Sequence, residues 1–167
     1  CLLGLLVGQA LAINETLPEM KTMRLQTALV EDGEAAAFIA CPDAEEYRAL
    51  ASELNSALAD SLGVNIPIVA ADQVDESRLE AENCIALGIF PFNPVVEKLY
   101  IREFVACDYS WPNGDDSYVI RTVHDPWLSG TNVVFVGSAH ESGMQQAVTR
   151  FADLAAQSGG ILDPIIE

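Results

Sequence analysis

The sequence predicts an α/β fold of the α+β kind, a mixed β-sheet of about five to six strands packed with two to three helices. Three observations predict it. Val133 to Val136 form a continuous apolar run, as in a strand covered on both faces. This run passes through Gly137-Ser138 into a stretch where Met144, Val148, Phe151 and Ala155 recur at helical spacing. The same alternation of short apolar runs and amphipathic stretches repeats along the chain, which is the pattern of a layered α/β domain. Its 167 residues, half of them hydrophobic, suffice for one domain with a sizeable core.

Residues 1–12 are uncharged, mostly apolar and too short to span a bilayer as a helix. They end in Ala10-Leu11-Ala12, a small-residue cleavage pattern, and read as a signal-peptide remnant lacking its charged start. A secreted or periplasmic protein is therefore expected, with no stable membrane insertion after processing. A lipoprotein acylated at Cys1 fits less well, because the apolar run follows that cysteine rather than preceding it.

Residues 13–33 form a lead-in and a first strand, Leu25 to Val30, closed by the turn Glu31-Asp32-Gly33-Glu34. The α/β domain proper spans 34–158. Ala35 to Cys41 is its first strand, and Pro42-Asp43 opens a helix with Asp43 as cap and Glu46 completing a capping box. Tyr47, Leu50, Leu54, Leu58 and Leu62 mark its buried stripe, and Gly63 stops it. Ile66 to Ala70 is a strand, and 72–82 a solvated turn or one short helix. Cys84 to Ile89 returns to the sheet, and Asn93-Pro94 starts a helix running to about Phe104. Residues 108–116 are rich in turn formers. Ser117 to Val123 alternates as a strand and makes a late hairpin-like pair with Val133 to Val136. The last helix takes Ser138 as cap and Glu141 as its capping-box partner. Gly137 should be held by the turn, through positive φ or close approach of a neighbouring chain. Residues 159–167, opening with Gly159-Gly160, are expected to begin a linker or a next domain.

Charge excludes some functions. Twenty-five acidic residues against eight basic ones give a formal net charge of −17, a surface that repels nucleic acid and anionic membranes. Setting Cys1 aside, Cys41, Cys84 and Cys107 cannot all pair internally, and no zinc spacing joins them. Buried free thiols are expected, with a disulfide between two of the three as the alternative.

No catalytic constellation is legible. The turn from Gly137 to Gly143 lacks the Lys-Ser/Thr of a P-loop and the GxGxxG of a dinucleotide site, so no cofactor is expected. Nothing in the spacing of Ser138, His140, His124 and Asp125 requires a triad. Tyr109, Trp111 and Trp127 stand in loops, where aromatic faces can stack on sugar rings or plug the ends of a core; they are the carbohydrate-contact candidates. Asp108, Asn113, Asp115 and Asp116 crowd oxygen ligands into one loop and are calcium candidates, although the EF-hand pattern is absent.

The helix carrying Leu54 and Leu58, then Gly63-Val-Asn-Ile-Pro-Ile-Val69, then Cys84-Ile-Ala-Leu-Gly88, and the closing Val133-Val-Phe-Val-Gly-Ser138 with Gly143, Ala147 and Phe151 carry a resemblance. Over residues 34–156 this arrangement resembles the N-terminal non-catalytic α/β domain of alpha-glucuronidase and beta-hexosaminidase-type glycoside hydrolases. It departs at Gln146, where the family has an aromatic residue before the alanine. The family keeps its catalytic acids in a barrel that follows, so no catalytic residue is carried over. The resemblance implies an accessory domain of a secreted carbohydrate-degrading enzyme, with its own downstream catalytic domain and a polysaccharide or oligosaccharide as partners. The alternatives are a stand-alone secreted carbohydrate-binding or interaction module, and an accessory domain of a heparinase-like polysaccharide lyase.

Overall fold

The computed structural model describes residues 24–90 and 92–167; the expected signal-peptide remnant lies outside the described residues. The central sheet is mixed and five-stranded. Its strands are β4 (Ala37–Cys41), β5 (Ile68–Ala70), β6 (Asn83–Leu87), β7 (Val119–Val123) and β8 (Val133–Gly137). They lie in the order β5-β4-β6-β8-β7, with β7 alone antiparallel. The late hairpin-like pair is thus β7 against β8.

Among the described residues, four α-helices cover the sheet. Helices α1 (Glu45–Leu62) and α4 (Glu141–Ser158) pack on one face, where Leu54, Leu58, Ile85, Val134, Val148 and Phe151 form a core. Helices α2 (Glu76–Ala81) and α3 (Pro94–Ile101) lie on the other, over Phe38, Ala86, Val96, Leu99 and Phe135. The central strands are buried on both faces, which explains their unbroken apolar runs. The helix beyond the expected two or three is six-residue α2, from the segment read as a turn or one short helix.

Leaving β4, the chain moves to β5 through α1 on one face. Leaving β6, it moves toward β8 through α3 on the other. A doubly wound sheet of this kind opens a crevice at the C-terminal ends of the strands where the direction of winding changes, here between β4 and β6.

The expected first strand is broken in two. β1 (Thr27–Ala28) and β2 (Val30–Glu31) flank Leu29, whose side chain is fully buried, and β2 pairs with β3 (Glu34–Ala35) around the expected turn. Residues 159–167 do not lead away from the domain as expected. Gly159 ends α4 in the left-handed region, at φ 64°, and β9 (Ile161–Leu162) then pairs with β1. Glu167 exchanges backbone hydrogen bonds with Ile120 at 2.8 and 2.9 Å, so the edge of β7 is covered rather than open.

Both capping boxes give way to other partners. The residue before α1 is Ala44, because the Asp43 carboxylate instead accepts from Arg48 at 3.0 Å. The residue before α4 is His140, and Ser138 Oγ donates to the Ser117 carbonyl at 2.6 Å while accepting from the His140 amide. In α2, Asp75 does cap, accepting from the Arg78 amide, and this bond holds its carboxyl below the usual range.

Gly137 is constrained by close approach. A Cβ there would stand 2.6 Å from the Gly88 carbonyl oxygen and would also strike the Phe135 ring. Gly88 itself sits at φ 96°, with the Tyr47 ring over the place its own Cβ would take.

Candidate functional site

A convergence of unlike side chains lies at the C-terminal ends of β4, β6 and β8. Three chain crossings build it. After β4, Pro42 and Asp43 lead into α1 and set Tyr47 on its first turn. After β6, Gly88 turns the chain, and Asn93 opens α3. After β8, Ser138 to His140 lead into α4. Between the first turns of α1 and α4 lies a crevice of about 450 Å³, lined by Glu46, Tyr47, Glu53, Phe92, His140 and Glu141 among others. Its helices are bridged by Gln145, whose amide nitrogen donates to Glu53 Oε1 at 2.7 Å. Burial pushes the Tyr47 phenol up to about 12, so it stays protonated and able to donate at any physiological pH.

Beneath the crevice is a buried polar anchor. Asn93 caps α3 by accepting from the Val95 amide at 2.9 Å and the Val96 amide at 3.4 Å. Its amide nitrogen donates to the Ala40 carbonyl at 3.0 Å and the Leu87 carbonyl at 2.8 Å. One side chain therefore ties together β4, β6 and α3 where the winding changes direction. Sequence spacing marks Asn93 as a cap; its bonds to two strand ends are visible only in three dimensions.

Of the carbohydrate-contact candidates, Tyr109 and Trp111 stand together, and Trp127 stands apart. Tyr109 meets Phe92 edge-on with centroids 5.6 Å apart, and Phe92 is 6.3 Å from Tyr47. Trp111 is held two residues away by a backbone bridge to Asp108. Trp127 follows β7, which runs antiparallel to β8, so its loop falls at the opposite end of the sheet. There it packs against the second core beneath the Arg102 guanidinium, 5.0 Å from its ring centroid.

Of the calcium candidates, Asp108 and Asp116 spend carboxylate oxygens on other partners. Asp108 accepts from Tyr100 Oη and from the Ser110 amide. Asp116 takes a short hydrogen bond from Ser142 Oγ, and the Asp115 carbonyl accepts from the Gly143 amide at 2.9 Å. Among the described residues no group of three or more His, Cys, Asp and Glu is placed to hold a metal ion.

The turn into α4 is equally spent. With Ser138 bound to Ser117 and Gly143 to Asp115, two groups that an anion would need are already occupied, and Asp116 and Glu141 add negative charge beside them. His124 and Asp125 lie with Trp127 at the far end of the sheet, so they form no triad with Ser138 and His140. His140→Ala, at an exposed position, is expected to change stability by no more than about 0.5 kcal/mol in urea melts.

Cys41, Cys84 and Cys107 are buried free thiols. Burial pushes Cys41 up to about 11 and Cys107 up to about 12, and raises Cys84 as well, which keeps all three protonated and unreactive. No helix among the described residues is long and apolar enough to cross a membrane.

No family model and no curated protein matches the sequence. Among solved structures, CpGH84D, a glycoside hydrolase family 84 protein, is similar to this chain at 13% identity with a TM-score of 0.54. The match covers 86% of this chain and 21% of that one, so the chain spans about a fifth of that structure's length. What the two share is the α/β fold.

Proposed function

We propose that this chain is a non-catalytic accessory domain of a secreted carbohydrate-degrading enzyme, whose catalytic domain lies elsewhere in the same polypeptide. The observation that carries this reading is the shared fold: nearly all of this chain matches a small part of a much longer glycoside hydrolase. The resemblance read from residues 34–156 points to the same class of enzyme through independent features, the strand-ending glycines Gly88 and Gly137 and the helix that follows. Export, to the periplasm or beyond, rests on the apolar start and its cleavage pattern.

The chemistry of the site supports a structural rather than a reactive role. Glycoside hydrolysis needs two carboxyl groups facing one bond, one of them held protonated. Of Asp115 and Asp116, on the loop that borders α4, the Asp116 carboxylate is taken up by Ser142 Oγ and so is not free to face a glycosidic bond in partnership with Asp115. This chain is therefore expected to turn over none of a panel of aryl-glycosides. Robust hydrolysis by the chain alone, lost in Asp115→Asn or Asp116→Asn, would refute the reading.

A second reading, a stand-alone carbohydrate-binding module, is favoured by the exposed aromatic side chains gathered beside the crevice. An accessory domain of a polysaccharide lyase acting on acidic glycans draws no such support, because the crevice is lined with carboxylates.

A further inference from the structure

We propose that the crevice between the first turns of α1 and α4 is a binding site for a neutral saccharide, with Phe92 and Tyr109 as its stacking surfaces. The proposal rests on the carbohydrate reading above and adds a site and a ligand class to it.

Three independent observations converge on this place. The first is its position, at the C-terminal ends of the strands where the sheet's winding changes direction. Ligands of doubly wound folds bind there because loops from different strands converge around one hollow. The second is the distribution of exposed apolar side chains. Among the described residues, the large exposed hydrophobics elsewhere are all aliphatic: Leu25, Ile68, Ile101, Leu128, Ile161 and Ile166. The exposed aromatics are Phe92 (47%), Tyr109 (62%) and Trp111 (46%), and all belong to the two loops at this edge. Their rings continue from Tyr47 through Phe92 to Tyr109 by tilted and edge-on contacts, with Phe92 and Tyr109 about half exposed. Rings packed in this way are fixed before a ligand arrives, so little side-chain freedom is lost on binding.

The third observation is the polar lining. Glu46, Glu53 and Glu141 supply carboxylate acceptors, and the protonated Tyr47 phenol and His140 can supply donors. A sugar presents that combination in reverse, with hydroxyl groups at its edge and C–H groups on the face that stacks on an aromatic ring. The carboxylates also set the charge of the ligand. A uronic acid or sulfated sugar would bring an anion among three carboxylates on a chain of formal charge −17, with His140 the one basic side chain in the lining. Neutral sugars are admitted and acidic ones refused.

The test is a titration of the isotope-labelled intact chain, followed by backbone amide NMR, with three probes: cellotriose, the trisaccharide of N-acetylglucosamine, and trigalacturonate. At least one neutral probe should give saturable shifts at Tyr47, Phe92 and His140, and trigalacturonate should give none. Phe92→Ala should weaken the neutral probe by about fivefold or more, as expected for loss of one stacked ring. Trp127→Phe, at the opposite end of the sheet, should leave the binding constant unchanged. If Phe92→Ala loses its dispersed spectrum, Tyr109→Ala on its exposed turn gives the same reading. The proposal is overturned if neither neutral probe moves the crevice amides, if trigalacturonate binds as well, or if both aromatic variants bind like the parent chain. Any of these leaves the accessory-domain reading standing, since that reading fails only on turnover by this chain or on the size of the native polypeptide.

Discussion

Asn93→Ala is expected to destabilise the domain by at least about 3 kcal/mol, although the substitution removes no apolar contact of the core. Loss of the cap on α3 accounts for about 1 kcal/mol. The remainder comes from the Ala40 and Leu87 carbonyls, which lose the Asn93 amide and have no water to replace it; each such loss costs about 1–3 kcal/mol. Asn93→Asp separates the two parts. Aspartate caps a helix as well as asparagine, but it would turn a carboxylate oxygen toward the two carbonyls in place of a donor. It should therefore be at least as destabilising as alanine near neutral pH. Urea melts of both variants check this, and an Asn93→Asp variant as stable as the parent chain would show that the strand-end bonds contribute nothing.

Phe151→Ala is expected to cost about 3–5 kcal/mol, the usual range for truncating a fully buried phenylalanine. Phe151 lies on the inner face of α4, in the core that α4 shares with α1 and the sheet. The loss should appear as a lower denaturation midpoint at unchanged slope, because the sheet and its opposite helical layer remain. A silent substitution would mean that α4 does not pack on the sheet as described, and the crevice formed by its first turn would then lose its wall.

The features that could be read in the sequence are those fixed by local composition. Val133–Gly137 and Ala37–Cys41 are apolar at every position because both faces of their strands are covered, and α4 shows its buried stripe at helical spacing. Gly63 and Gly159 end helices in the left-handed region, as glycines placed there should. Where the reading failed, a distant partner competed for a local one. Ser138 has the spacing of a helix cap, yet its hydroxyl is taken by the Ser117 carbonyl, brought alongside by the pairing of β7 with β8. The same pairing separates the aromatic candidates. Trp111 and Trp127 are 16 positions apart in the chain, but antiparallel β7 runs between them and carries Trp127 to the far end of the sheet. Tyr47 and Phe92 meet only because β4 and β6 are neighbours, and no periodicity joins them. The tail from Ile161 to Glu167 looked like a departure because two glycines precede it; those glycines instead turn the chain back so that β9 reaches β1.

The central claim is that this α/β unit serves a larger carbohydrate-degrading enzyme and does not itself catalyse. The most direct measurement is the intact mass of the native polypeptide, captured from its source with an antibody raised against this chain, whose own mass is 18.0 kDa. The account predicts a polypeptide several times that mass, with glycosidase activity that resides outside this unit. A native species of about the mass of this chain, with no further domain attached, would contradict it.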